Sequence, residues 1–153
     1  MNLSLEGKIA IVTGGSKGIG KATALSLAQE GVDVAICARG MADLEDAATE
    51  IRAATGRNVL PLQADMADPE AIKKMVAATV ADFGGVDILV NNAGMNTPLR
   101  NLTDMPADQW DRVIQVNLTG VYNCFKAVLP GFLRAGDGLV INISSMAGKH
   151  SGT

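Results

Sequence analysis

Aromatic residues are scarce in this sequence: Phe, Trp and Tyr together make up only 3% of its 153 residues. Surfaces that stack nucleic-acid bases or sugar rings need several aromatic side chains, so the sequence disfavours both. Basic runs are absent too, since 13 Lys and Arg stand against 16 Asp and Glu, giving a net charge of −3. Nucleic-acid binding relies on concentrated positive charge, and the composition therefore excludes it.

Long hydrophobic runs are also lacking, and cysteines are few. No apolar segment approaches the ~18 residues that a membrane-spanning helix needs, and the N-terminus lacks the basic and apolar regions of a secretory signal. The two cysteines, Cys37 and Cys124, lie far apart in apolar segments, so we interpret them as reduced core residues. We therefore expect a soluble, cytoplasmic protein with no membrane partner.

What the sequence does contain is an alternation of short apolar runs and longer helical segments. With 48% hydrophobic and 19% charged residues it can bury a sizeable core, and its length suits a single domain over residues 1–153. The apolar runs are too short for helices and too continuously apolar for strands with one solvent-exposed face. Such runs are typical of a parallel sheet that is buried on both faces. The predicted strands cover residues 9–12, 32–38, 59–62, 86–90 and 139–143.

Helix signals separate these strands. We predict helices over residues 20–30, 42–54, 68–83 and 106–134, each ended by a nearby glycine. The last is a single long helix, whose final turns Pro130 should bend. Strand and helix thus alternate five times, without a final helix. This pattern predicts an α/β fold, a Rossmann-like doubly wound parallel sheet with strand order 3-2-1-4-5.

A glycine-rich segment joins the first predicted strand to the first helix. Residues 13–20 read TGGSKGIG. Glycines at such a turn let the backbone approach an anion, and the new helix directs its free N–H groups toward it. The spacing Gly14-x-x-x-Gly18-x-Gly20 differs from G-x-G-x-x-G and lacks the Lys-Ser ending of a triphosphate-binding loop. The segment therefore favours binding of a dinucleotide over triphosphate hydrolysis.

Four motifs together resemble the short-chain dehydrogenase/reductase family. They are the glycine segment, Asn91-Asn92-Ala93-Gly94 after the fourth strand, Asn117, and Asn142-Ile143-Ser144-Ser145 at the fifth strand, in the family's order and at its usual separations. The resemblance implies hydride transfer between a nicotinamide cofactor and a small carbonyl or alcohol substrate, as in 3-oxoacyl or similar ketone reductases. It also implies a homo-oligomer, either a dimer or a tetramer.

The end of the second strand decides which cofactor the resemblance implies. An NAD enzyme needs a carboxylate there for the ribose 2′-hydroxyl, whereas an NADP enzyme needs a cation for the 2′-phosphate. This chain has Ala38 followed by Arg39, and Lys17 in the glycine segment adds a second positive charge. We therefore expect NADP(H), with NAD(H) as the weaker alternative.

The resemblance implies further contacts with the cofactor. Asp65 would hold the adenine amino group beside Met66, unless it is only a turn residue ahead of the Asp68 helix cap. Asn92 is equally consistent with a purely structural role in the sheet. No metal ligand is expected. The full set of predicted cofactor residues is Gly14, Ser16, Lys17, Gly18, Ile19, Gly20, Arg39, Asp65, Met66, Asn91, Ala93 and Gly94.

Two catalytic residues are implied as well. Ser145, at the end of the fifth strand, would hydrogen-bond the substrate oxygen, and Asn117 would act through its backbone carbonyl at a local distortion of its helix. The family's Tyr-x-x-x-Lys pair follows the serine, at a distance that lies beyond Thr153. Tyr122 and Lys126 have the same spacing but precede the serine, so we interpret that match as coincidental.

We therefore expect the N-terminal, cofactor-binding part of an oxidoreductase, without its C-terminal strands and inactive as the 153-residue chain alone. Apolar side chains around the long helix, among them Phe125, Val128 and Phe132, should make it prone to association. One alternative is a catalytically inactive dinucleotide-binding module that pairs with another chain. A Rossmann-like methyltransferase is a further alternative, but it needs an acid where Arg39 stands.

Overall fold

A computed structural model describes residues 3–98 and 101–145, in which five parallel strands form one sheet. The strands pair in the order β3-β2-β1-β4-β5, which confirms the predicted Rossmann-like fold. Because all pairs are parallel, the carboxyl ends of the strands share one edge of the sheet. The strands are β1 (Ile9–Thr13), β2 (Asp33–Ala38), β3 (Val59–Gln63), β4 (Ile88–Asn91) and β5 (Leu139–Asn142).

Helices connect the strands where the sequence predicts them. They are α1 (Gly18–Gln29), α2 (Met41–Thr55), α3 (Pro69–Phe83), α4 (Ala107–Ile114) and α5 (Gly120–Ala135). The start of α3 follows its predicted signals: the Asp68 carboxylate accepts hydrogen bonds from the backbone N–H groups of Glu70 and Ala71 at 2.9 and 3.2 Å. Gly84 ends this helix with φ +94°, a conformation that a Cβ would disfavour.

The predicted long helix is continuous from residue 107 to residue 135 but is not uniform. A π-helical turn, Gln115–Thr119, separates α4 from α5, at the place where the family resemblance implies a helix distortion. The side chain of Asn117, in the middle of the π turn, accepts a hydrogen bond from the N–H of Met95 at 2.9 Å and donates one to the carbonyl of Met95 at 2.8 Å. Pro130 lies within α5, which continues to Ala135.

The core occupies both faces of the sheet. On one face, side chains of α1 and α2 pack against the strands, including Ala24, Leu44 and Ile51. On the other face, α3 and α5 contribute residues such as Ile72 and Val128. Mainly aliphatic side chains therefore cover both faces of the central strands, as the apolar runs predict. Among the described residues, no helix is both long and apolar enough to cross a membrane.

Candidate functional site

A cleft opens along the carboxyl edge of the sheet. The loops after β1, β2, β3 and β4 line it, together with two residues of the helical stretch after β4, Arg112 and Val116. Most of the predicted cofactor residues meet there, although they come from four separate loops. Those that line the cleft are Gly14, Ser16, Lys17, Arg39, Asp65, Met66, Ala93 and Gly94.

The glycine segment makes a tight turn between β1 and α1. Gly14 has φ +67°, and a Cβ there would lie 2.9 Å from Nδ2 of Asn92. A Cβ on Gly20 would overlap the carbonyl oxygen of Gly14, so this helix start can pack against the turn only without a side chain. Gly18, with φ +57°, instead faces open space, and Ile19 is exposed. Gly14 and Gly20 therefore pack inward, whereas Gly18 and Ile19 between them are accessible.

The start of α1 is suited to an anion. Its N-cap residue, Lys17, makes no capping hydrogen bond with its side chain, and the first turn carries no acidic residue. The first N–H groups of a helix have no partner within the helix, and the helix dipole is positive at this end. A phosphate group placed at this turn would therefore meet both free donors and positive charge.

Thr13 and Asn92 tie the loop after β4 to the loop after β1. The Thr13 hydroxyl accepts hydrogen bonds from the N–H groups of Asn92 and Ala93 at 3.0 and 2.9 Å. In return, the Asn92 amide donates to the carbonyls of Thr13 and Gly14 at 2.9 and 3.3 Å. These contacts favour the structural interpretation of Asn92. Thr13 opens the glycine motif, yet no sequence pattern indicated a separate role for it.

Positive charge gathers at the end of the cleft near β2. Lys17 and Arg39 both line the cleft with exposed side chains. The acid of β2, Asp33, lies at the opposite end of the strand, where it forms an ion pair with Arg57 at 2.9 Å. A phosphate bound beside Ala38 would thus meet two cations and no carboxylate from this strand.

Asp65 lies in the cleft as an ionised carboxylate. One oxygen accepts a hydrogen bond from the N–H of Ala67 at 2.9 Å, and the other contacts a guanidinium nitrogen of Arg112 at 2.6 Å. Partial burial raises the pKa of this carboxyl group, but the Ala67 N–H, Arg112 and the charge of Arg39 outweigh it, so the pKa lies below its usual value. The sequence did not single out Arg112, because its partner is 47 residues away and no short-range pattern links them.

Four of the predicted cofactor residues do not line the cleft. Gly18 and Ile19 are exposed at the start of α1, and Gly20 is buried behind the turn. Asn91, at the end of β4, is also buried, and its amide donates to the side chain of Asn142 at 2.9 Å. Asn91 therefore braces β4 against β5 in this structure.

The predicted catalytic residues lie at the same edge of the sheet but outside the cleft. Ser145 follows β5 and is exposed, while Asn117 holds Met95 from the π turn. Tyr122 and Lys126 project from α5, with the Lys126 amine 5.6 Å from the centre of the Tyr122 ring, and neither lines the cleft. This arrangement supports the interpretation of their spacing as coincidental.

Comparisons with known proteins agree with this fold. A family model described as short chain dehydrogenase matches residues 8–153. A 3-oxoacyl-[acyl-carrier-protein] reductase FabG of Staphylococcus epidermidis is 43% identical over 141 residues, which cover 92% of this chain and 57% of that protein. The chain therefore spans little more than half the length of this relative.

Solved structures show the same likeness. A metagenomic short-chain oxidoreductase in complex with NADP matches with a TM-score of 0.92 and 38% identity, over 98% of this chain and 67% of the other. An NAD+-bound xylitol dehydrogenase matches with a TM-score of 0.92 and 35% identity, over 97% and 56%. The family model covers almost every residue, and the strand order is the predicted one. This chain belongs to the short-chain dehydrogenase/reductase family.

Proposed function

We propose that this chain binds NADP(H) as part of an oxidoreductase that transfers hydride between the nicotinamide and a small carbonyl or alcohol substrate. The similarity to a 3-oxoacyl-[acyl-carrier-protein] reductase supports a 3-oxoacyl compound or similar ketone as the substrate class. The observation that carries the cofactor assignment is the charge at the end of β2. Lys17 and Arg39 line the cleft there, whereas Asp33 lies at the far end of the strand.

The residues of the cleft fit the parts of this dinucleotide. Arg39 and Lys17 would hold the 2′-phosphate, and the free N–H groups at the start of α1 would hold the pyrophosphate. Asp65 would accept a hydrogen bond from the adenine amino group, with Met66 beside it. The loop of Ala93 and Gly94 would line the ribose. When bound, the cofactor supplies or accepts the hydride.

Ser145 and Asn117 would serve the substrate side of the reaction. The Ser145 hydroxyl would donate a hydrogen bond to the substrate oxygen, where negative charge develops during reduction. The backbone carbonyl of Asn117, in the π turn, would hold a water molecule on a path for protons. Neither group delivers the proton itself. We therefore propose that residues 1–153 form one dinucleotide-binding domain that shows no carbonyl reduction alone.

The preference for NADPH over NADH tests the cofactor assignment. We expect NADPH to bind at least tenfold more tightly, because charge-assisted contacts with a phosphate contribute about 1.5–3 kcal/mol each before screening. Replacing Ala38 by Asp together with Arg39 by Gln should invert this preference. Arg134→Gln, an exposed arginine of α5 outside the cleft, is the matched control and should change neither affinity. Equal dissociation constants in the unmodified protein would contradict the assignment.

A side-by-side assay separates the enzyme from an inactive dinucleotide-binding module. NADPH oxidation with a panel of ketones is measured for the 153-residue chain and for the full product of its coding sequence. We expect turnover only from a product that supplies the Tyr-x-x-x-Lys pair, and Ser145→Ala in that product should remove most of it. Turnover by the 153-residue chain alone would show that the catalytic residues are misplaced.

We also propose that the protein is a homo-oligomer, a dimer or a tetramer, in which α5 lies at the contact. The sequence prediction of which side chains are free needs correction: Val128 and Phe132 are buried against the sheet. Tyr122, Phe125 and Leu133 are exposed instead and lie on one side of the helix. Sedimentation should show self-association, which Leu133→Glu should weaken. The control is Leu102→Glu, at an exposed leucine outside α5, which should leave self-association unchanged. A monomeric unmodified protein at high concentration would contradict this proposal.

We propose that the protein is located in the cytoplasm, as the sequence predicts. Both cysteines are free and buried, which suits a reducing compartment. Cell fractionation tests this location directly. Recovery of the protein in an exported or membrane fraction would contradict it.

A further inference from the structure

Arg112 is the cleft residue whose role remains to be explained. It lies in the last turn of α4, and its guanidinium contacts the carboxylate of Asp65, on the loop after β3, at 2.6 Å. Both side chains line the cleft, with 38% of Arg112 and 35% of Asp65 exposed. An ion pair at this level of exposure contributes little to folding stability, because water screens the charges. Its position in the cleft therefore suggests a role in binding.

The contacts of Asp65 show what Arg112 does to the carboxylate. One oxygen is fixed by the Ala67 N–H and the other by Arg112. A carboxylate offers about four acceptor positions, so a side chain held in this way still has lone pairs to offer to a ligand in the cleft. Without Arg112, the Ala67 hydrogen bond alone would leave the carboxylate free to rotate. Burial would also favour its protonated form.

We propose that Arg112 is a positioning residue for the adenine base, which orients the Asp65 carboxylate so that it accepts the exocyclic amino group of a 6-aminopurine. The proposal rests on the proposed function, since it concerns the same cleft and the same dinucleotide. Arg112 acts through Asp65 and makes no hydrogen bond of its own to the base. Its effect is therefore specific to the 6-amino group and should not extend to the phosphates.

A second contact to the same loop provides a control. Gln115, in the π turn, donates a hydrogen bond from its side chain to the carbonyl of Ala67 at 3.3 Å. Like Arg112, it ties the loop after β3 to the helical stretch, but it does not touch the carboxylate. If Arg112 only held the loop in place, removing either side chain would have the same consequence for binding.

The experiment compares NADPH with its hypoxanthine analogue, in which a 6-oxo group replaces the 6-amino group. Dissociation constants for both are measured by calorimetry, in the given chain and in the full product of its coding sequence. We expect the unmodified protein to prefer NADPH by about 10- to 100-fold, the range for one charge-assisted hydrogen bond. Arg112→Gln and Asp65→Ala should each reduce this ratio to near one, and the double variant should reduce it no further. Arg112→Lys, which keeps the charge, should restore part of it.

The control and the pH dependence exclude a merely structural role. Gln115→Ala should keep the full preference for NADPH, even where both affinities fall. On acidification, the preference for NADPH should be lost at a higher pH in Arg112→Lys than in the unmodified protein. The reason is that the Asp65 carboxylate protonates more readily without the guanidinium.

Two kinds of failure are distinguishable. An undiminished preference in Arg112→Gln, or an equal loss of affinity for both dinucleotides, would overturn the inference and leave the proposed function standing. If the unmodified protein binds neither dinucleotide, the proposed function and the inference fall together.

Discussion

Thr13 illustrates how much a single buried hydroxyl can do in this fold. It is 1% exposed, yet its hydroxyl accepts hydrogen bonds from two backbone N–H groups of the loop after β4 and donates one to the carbonyl of Val90 at 3.3 Å. Those N–H groups belong to no strand or helix. The N–H group of Asn92 also donates to the carbonyl of Val90 at 3.1 Å, whereas the N–H group of half-buried Ala93 depends on the hydroxyl. The hydroxyl thus joins two of the four loops of the cleft at their base.

Thr13→Val should therefore destabilise the protein, although a valine side chain has nearly the same shape as a threonine side chain. It removes the acceptor of the Ala93 N–H group, at a cost of about 1–3 kcal/mol, whereas the N–H group of Asn92 keeps the carbonyl of Val90 at 3.1 Å. Thr13→Ser keeps the hydroxyl and loses only a methyl group, at a cost of about 1 kcal/mol. Urea denaturation followed by circular dichroism measures both. Equal losses in the two variants would show that packing, not hydrogen bonding, determines the role of Thr13.

At the residue scale, most of the cofactor residues predicted from the sequence line the cleft. Gly14, Lys17, Arg39 and Asp65 belong to local motifs at the ends of strands, and the fold brings such ends together. Arg112 belongs to no motif and becomes recognisable only when α4 is placed against the loop after β3. Contacts between residues distant in sequence depend on packing, which local spacing does not encode.

At the scale of elements, the stretch from α4 to α5 has one face that must fit closely against the loop after β3. Gly120, at the start of α5, is buried, and a Cβ there would overlap the carbonyl oxygen of Met66. Eleven residues later on the same helix, a Cβ on Gly131 would meet no atom within 4 Å. One glycine is thus required by packing, and the other is only a weak helix former.

These two glycines predict opposite effects of the same substitution. Gly120→Ala should destabilise the protein by about 1–3 kcal/mol, the usual cost of forcing an extra methyl group into a packed contact. Gly131→Ala should stabilise it by about 0.5–1 kcal/mol, because alanine loses less backbone entropy in a helix. Thermal unfolding of both variants tests the pair. Destabilisation by Gly131→Ala would show that the surroundings of this glycine are more crowded than described.

The sequence predicted the extent of this helical stretch but not the form of its interruption. The stretch contains weak helix formers such as Asn117 and Gly131, but helix propensity alone does not indicate that a π turn forms there. The π turn is accompanied by two tertiary hydrogen bonds between Asn117 and Met95, which no count of helix formers reveals. The family resemblance, by contrast, pointed to a distortion at Asn117. Strands and helix ends were predictable because apolar runs and caps are local signals.

At the scale of the whole molecule, ionisable groups whose pKa the fold shifts determine how stability depends on pH. Burial raises the pKa of both thiols, Cys37 and Cys124, from an ordinary value of 9.0, that of Cys124 to about 12. In the folded protein both thiols therefore stay protonated at pH values at which the thiols of the unfolded chain are already ionised. The opposite holds for Asp65, whose pKa lies below its ordinary 3.8. Its contribution to stability is present above that value and is lost on acidification through the folded pKa.

Stability should accordingly be greatest between about pH 4 and pH 9 and fall on the alkaline side. Above pH 9 the unfolded state releases protons that the folded thiols retain, so each thiol lowers the free energy of unfolding by about 1.4 kcal/mol per pH unit. Cys124→Ala should remove about half of this alkaline slope, although its free energy of unfolding is lower throughout because a buried group is lost. Urea denaturation between pH 7 and pH 10.5 measures the slope, and Cys124→Ser, which also lacks a thiol, should match the alanine variant. If the alkaline slope of the free energy of unfolding were unchanged in both variants, Cys124 would have the same pKa in the folded and unfolded chains. The buried environment assigned to it would then be wrong.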